Sequence, residues 1–168
     1  MSSTTCLRHL PTFAEHRDAL RDALVDVTQE SFFSFAEICD PARFADAVAN
    51  ADGRGRWLSS RVSFTGAFAG VLQITLPHGL AVELLAAFAG LTPDDPVSDA
   101  QVLDSTGELA NMVCGRWLTK ACVHRRFDLR QPEVVPAAAP PAIGAGAGEE
   151  LLLVNDQPVA VRLDFLPS

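Results

Sequence analysis

Val62-Ser63-Phe64-Thr65-Gly66-Ala67-Phe68-Ala69-Gly70-Val71-Leu72-Gln73-Ile74-Thr75-Leu76 reads as two strands folded back on each other. Val62 and Phe64 keep the two-residue spacing of a half-buried strand. Leu72, Ile74 and Leu76 then alternate with Val71, Gln73 and Thr75. Gly66 to Gly70 is a glycine-bounded turn region. The whole hairpin covers residues 57–76, and Pro77-His78-Gly79 ends it. Such a short connection makes the strands antiparallel, because a parallel pair needs a crossover of about a dozen residues.

Outward from the hairpin the period changes. Upstream, residues 14–38 read as one helix, with Ala19, Leu20, Ala23, Leu24, Val27 and Phe32 three and four apart and Cys39-Asp40-Pro41 as its end. A short helical piece follows with Phe44, Ala47 and Val48 on one face, and then a loop from Asn50 to Gly55. Downstream, residues 80–90 form a short helix carrying Leu80, Leu84, Leu85 and Phe88, with Gly90 as its stop. Residues 98–122 form a second long helix. Ser98 is its N-cap behind Pro96, and Val102, Leu109, Met112, Val113 and Trp117 are its apolar positions.

Strand-like stretches follow at Phe127–Leu129 and Pro132–Val135. Residues 136–148 are alanine, proline and glycine with little else, and 137–148 reads as a flexible loop within one domain. The chain ends in a second hairpin: Leu151–Val154, a turn at Asn155-Asp156, then Val159, Val161, Leu163 and Phe165 in alternation. The expected fold is α+β. A mostly antiparallel sheet carries two long amphipathic helices and a short helix on one face, and residues 1–168 form a single domain.

The chain of 168 residues has a net charge of -8, which disfavours nucleic acid as a partner because that binding rests on cations. No apolar run reaches the roughly 18–20 residues that span a bilayer, and Met1 to Arg8 lacks the pattern of a signal peptide. A cytoplasmic location is expected. Cys6, Cys39, Cys114 and Cys122 form no C-x-x-C pair and read as reduced, mostly buried thiols. His9, His16, His78 and His124 have no metal spacing, so no metal site is expected. Gly144–Gly148 lacks the lysine of a phosphate loop. Arg125 and Arg126 read as charge that complements a helix end.

The segment Asp104-Ser105-Thr106-Gly107-Glu108-Leu109-Ala110-Asn111-Met112-Val113-Cys114-Gly115 carries the chemistry. At about 100° per residue, positions 104, 108, 111 and 115 share one stripe, while Leu109, Met112 and Val113 turn to the core. Glu108 and Asn111 are neighbours on that stripe. Asn is a mediocre mid-helix residue, so its place at 111 invites a reason. An E-x-x-N spacing alone recurs by accident on solvated helix faces.

The context is more specific. Asp104-x-x-x-Glu108-x-x-Asn111, with small Gly115 after it and Pro132 opening a strand, resembles the signature helix of the CheC/CheX/FliY phosphatases. Val62-x-Phe64-x-Gly66-x-x-x-Gly70-Val71-Leu72 is similar to the strand–glycine–strand unit upstream of that helix. The acidic stretch Pro93 to Asp99 is similar to the loop before it. The first long helix repeats the spacing at Asp26 and Glu30, with Phe33 in place of the carboxamide. One intact motif is the pattern of the CheX branch. Glu30 itself reads as a solvated helix residue.

The resemblance implies a phosphatase that accelerates hydrolysis of the aspartyl phosphate on a CheY-like receiver domain in two-component chemotaxis signalling. It implies that Asn111 orients the attacking water and that Glu108 pairs with the lysine beside the phosphorylated aspartate. Asp104 either touches the partner or solvates the stripe. Gly107 and Gly115 either admit a partner's close approach or serve helix packing. The chain needs no cofactor of its own, and Mg²⁺ belongs to the receiver. The resemblance further implies a homodimer through sheet edges, for which the final hairpin is a candidate. Two other readings stand beside it. One is a non-catalytic adaptor that docks receivers through the same helix. The other is a structural component of a flagellar switch, which would be expected to carry an attached motor-type domain, and a chain of this length has little room for one.

Overall fold

The computed structural model describes residues 10–51, 55–142, 144 and 148–167. Among these, four helices and seven strands run in the order α1 (Phe13–Phe32), β1 (Ala36–Ile38), α2 (Pro41–Asn50), β2 (Trp57–Gly66), β3 (Ala69–Pro77), α3 (His78–Ala89), α4 (Asp99–Ala121), β4 (Phe127–Leu129), β5 (Glu133–Ala137), β6 (Glu149–Val154) and β7 (Gln157–Leu166). The fold is α+β, as expected. Every strand pair is antiparallel, in the order β1-β6-β7-β3-β2-β4, and β5 also pairs with β2.

The founding hairpin pairs Leu58 with Leu76, Val62 with Leu72 and Phe64 with Gly70. Gly70 is needed there, because a Cβ on it would stand 2.4 Å from the Phe64 ring and 2.6 Å from the Asp164 carbonyl oxygen. One face of the sheet, with Leu58, Val62, Phe64, Leu72, Ile74, Leu76, Val161 and Leu163, packs under α1, α3 and α4 in one buried cluster. Each fully buried Leu, Val or Phe in it contributes about 1.5–3 kcal/mol. The short helix α2 lies on the opposite face. Its Phe44 is buried with Leu151 and Ala160, which point away from the main core.

Three expectations are corrected. The helix expected over 14–38 stops at Phe32, where Phe33 turns left-handed (φ 49°) and its N–H bonds to the Thr28 carbonyl. The chain then alternates, with Phe32, Ser34 and Ala36 buried and Phe33 and Phe35 exposed, and enters β1 against β6. The loop expected from 136 begins later, because Pro136 and Ala137 belong to β5; of its remainder, residues 143 and 145–147 lie outside the described residues. The final hairpin does not offer a sheet edge. β1 covers β6 and β3 covers β7, so the open edges are β1 and the β4/β5 side of β2.

That β4/β5 edge is interrupted. Phe64 pairs with Leu129 and Arg61 pairs with Glu133. Val62 and Ser63 therefore face three residues, Arg130, Gln131 and Pro132. The extra residue is a bulge, and a proline at an edge bulge removes no ladder hydrogen bond. Among the described residues no helix is long and apolar enough to cross a membrane.

Candidate functional site on helix α4

Helix α4 is set by its start. Ser98 caps it, its Oγ accepting from the Gln101 N–H (3.3 Å) while Gln101 Oε1 accepts from the Ser98 N–H (2.9 Å). From that start Val102, Leu109, Val113 and Trp117 fall on the buried side. Asp104 and Glu108 are exposed, and Asn111 and Gly115 are half-buried on the stripe that 100° spacing expects. The structure thus brings Asp104, Glu108, Asn111 and Gly115 to one outer face. Among the described residues, Asp104, Glu108 and Asn111 have no hydrogen-bond or ion-pair partner within the chain.

Of the two roles open to Gly107, the structure shows the packing one: it is buried, and the close approach it permits is internal. A Cβ on it would stand 3.3 Å from Pro132 Cβ and 3.4 Å from Val134 Cγ2, so α4 rests directly on the edge bulge. Gly115 differs, with nothing within 4 Å of its Cβ position.

The bulge walls a cleft of about 390 Å³ lined by Leu103, Asp104, Gly107, Glu108, Gln131, Pro132 and Val134. Glu108 thus stands at the lip of a shallow groove, and Asn111 follows one turn along α4, about 4.5 Å of rise further on.

The chemistry available here is that of an uncharged carboxamide and a free carboxylate. A carboxamide both donates and accepts hydrogen bonds, so it can hold a water in place. Buried Cys114 lies on the same helix, and burial pushes its thiol up to about 12, which leaves it protonated and inert as a nucleophile. Among the described residues no group of His, Cys, Asp and Glu stands together to hold a metal ion. Cys39, Cys114 and Cys122 are free thiols, and Cys6 and His9 lie outside the described residues.

The repeated spacing on α1 has a different fate. Glu30 is exposed but bound to Arg116 (2.7 Å), and Asp26 is bound to Lys120 (2.7 Å). The carboxylates of this first copy are neutralised by α4, and exposed Phe33 stands where a carboxamide would be needed. Of the two copies, only that on α4 keeps its acid unpaired. Sequence reasoning missed this role of Arg116 and Lys120, because nothing local links residue 30 to residue 116. It noted Pro132 but not the bulge that Pro132 forms.

Comparison with known proteins agrees with this fold. The family model described as chemotaxis phosphatase CheX matches residues 58–151. A crystal structure of the chemotaxis protein CheX from Vibrio vulnificus superimposes with a TM-score of 0.66 at 21% identity, covering 93% of this chain and 99% of that one. CheX from Desulfovibrio desulfuricans gives 0.67 at 16% identity, with 90% and 99% covered. A CheX-CheY-BeF3-Mg²⁺ complex from Borrelia burgdorferi gives 0.60 at 13% identity, with 90% and 98% covered. At these identities the structural likeness speaks to the fold. None of the curated proteins matches the chain.

Proposed function

The chain belongs to the CheX family of chemotaxis phosphatases, and on that premise we propose that it accelerates hydrolysis of the aspartyl phosphate on a CheY-like receiver domain. The observation that carries this reading is the pair on α4: Glu108 exposed, Asn111 half-buried one turn away, neither engaged within the chain among the described residues. Hydrolysis of an acyl phosphate asks for a water in line with the leaving oxygen and for neutralised charge around the phosphoryl group.

Asn111 serves the first need. Its amide positions the water without adding negative charge beside the phosphate. Glu108 serves docking. A carboxylate aimed at a phosphoryl group repels it, but one aimed at a neighbouring lysine holds the two proteins in register. The helix enters the partner's pocket edgewise, and the uncrowded surface at Gly115 leaves room for that. Mg²⁺ is supplied by the receiver.

The test is the decay of a phosphorylated receiver domain with the wild-type chain and with Asn111→Ala. Loss of a positioned water predicts a fall in kcat of about 10²-fold or more with KM little changed. Glu108→Ala predicts chiefly a rise in KM. Acceleration that survives Asn111→Ala refutes the mechanism. Tight receiver binding without any acceleration by the wild type selects the adaptor reading instead.

A further inference from the structure

A second cleft, of about 370 Å³, opens at the other end of the same stripe. It is lined by Gly115, Leu118, Thr119 and the segment Arg125 to Leu129. Arg125 and Arg126 are exposed there, and among the described residues neither has an ion-pair partner. Their neighbours on α4 differ, since Arg116 and Lys120 are held by Glu30 and Asp26. The segment bearing the two arginines is anchored. The Arg125 N–H donates to the Cys122 carbonyl (3.1 Å), and the Arg126 carbonyl lies against Gly66, where a Cβ would come within 2.5 Å of it. Asp128 lines the same cleft, so the cleft keeps a net excess of one positive charge.

The surface that runs along α4 and past its C-terminal end therefore changes sign, with Asp104 and Glu108 at one end and Arg125 and Arg126, beyond Ala121, at the other. From Glu108 to Thr119 the helix rises about 16 Å at 1.5 Å per residue. That exceeds the Debye length of about 8 Å at physiological salt, so a partner feels the two ends separately. The chain as a whole carries -8, so a cleft of net positive charge stands against the overall balance.

We propose that Arg125 and Arg126 are specificity-determining residues of this face. They attract carboxylates on the partner and so fix which way a phosphorylated receiver lies along α4. The inference rests on the phosphatase reading and deepens it. A protein pocket that holds Mg²⁺ beside a phosphorylated aspartate is built from carboxylates, because that cation takes oxygen ligands. Glu108 meets the lysine in such a pocket, but no cation between Asp99 and Glu108 on α4 meets its carboxylates. The arginine pair supplies the attraction, and its distance from Glu108 supplies the direction. Arginine suits the task, since its fork meets a carboxylate with two parallel hydrogen bonds.

The experiment compares the wild type, Arg125→Glu/Arg126→Glu and Asn111→Ala. It reads decay of a CheY receiver phosphorylated with acetyl phosphate over a range of salt, and binding of the same receiver loaded with beryllofluoride and Mg²⁺. Charge reversal is expected to raise KM and weaken binding about tenfold or more, to leave kcat within about twofold, and to flatten the fall of kcat/KM with salt. Asn111→Ala is expected to do the opposite, lowering kcat and sparing binding. Arg125→Gln/Arg126→Gln, a milder change on the same exposed segment, is expected to lie between. If the wild type accelerates decay and the charge-reversed chain matches it in KM and salt slope, this inference falls and the phosphatase reading stands. If the wild type neither binds nor accelerates, both fall.

Discussion

A methyl group placed on Gly115 meets nothing within 4 Å, whereas one placed on Gly107 presses on Pro132 and Val134. Any glycine inside a helix costs about 1 kcal/mol relative to alanine, so the two positions separate structural need from functional need. Gly115→Ala is expected to raise stability by about 1 kcal/mol in urea unfolding while slowing receiver dephosphorylation, because only an external partner uses the open space. Gly107→Val is expected to lose about 1–3 kcal/mol, since the bulge must move outward to admit it. His16 is a residue-scale case of another kind. Its ring lies among Phe68, Trp117 and Phe165, and its Nδ1 has no partner. Burial lowers its pKa from 6.5, and Glu15 only partly opposes that. The folded state therefore holds His16 neutral while the unfolded chain binds a proton below pH 6.5, so this group's contribution to stability is full above that pH and falls as pH drops below it. His16→Phe is expected to flatten the loss of the urea midpoint between about pH 7.5 and pH 5. The stripe at 104, 108, 111 and 115 was legible from spacing alone, because helix geometry is local. The bond from Glu30 to Arg116 was not, because it joins residues 86 positions apart.

Elements were legible where a local residue ends them. Ser98 starts α4, Gly90 (φ 66°) stops α3, and Asn155 and Asp156 (φ 49° and 64°) make the two-residue turn between β6 and β7. The end of α1 was not legible, because no glycine or proline lies between Phe32 and Pro41 and apolar residues continue at helical spacing through Phe35 and Ile38. Tertiary contacts decide it instead. The Phe35 N–H donates to Asn155 Oδ1 (3.0 Å), the Asn155 N–H donates to the Phe35 carbonyl (2.9 Å), and β1 pairs with β6. The left-handed turn this requires falls on Phe33, which is 75% exposed and gains little from packing. Glycine carries no penalty in that conformation, so Phe33→Gly is expected to stabilise the fold by about 1 kcal/mol, read as a higher thermal midpoint. The bulge at Gln131-Pro132 escaped the sequence for a similar reason. Its extra residue exists only relative to the register of β2, which lies some seventy positions earlier in the chain.

At the scale of the molecule, α1 must be fastened across strands that arrive last in the chain, and a buried acid does this. Glu150 on β6 is 3% exposed, and it accepts from Arg17 Nε (2.5 Å) and Arg21 Nε (3.0 Å) on α1. Its partner across the ladder is Val161, a core residue, so the carboxylate enters from the helix side of the sheet. A carboxylate in that position is tolerated only while both guanidinium groups reach it, since an unpaired buried charge keeps its full desolvation cost. Arg17→Met with Arg21→Met removes both partners and leaves the acid stranded. The expected loss is about 3 kcal/mol, the low end for a broken buried pair, because the two arginines are themselves half-exposed. Adding Glu150→Leu removes the stranded charge and is expected to restore most of that loss in urea unfolding, although the triple variant makes fewer polar contacts than the double. If the clamp acted by attraction alone, the triple variant would be no more stable than the double. Recovery would show that the arginines act chiefly by making the acid's burial tolerable. High salt should change the ordering little, because the acid lies where counterions do not reach. The same variants should leave the outer face of α4 intact, since Glu150 and its arginines lie among none of the residues that line the two clefts beside it.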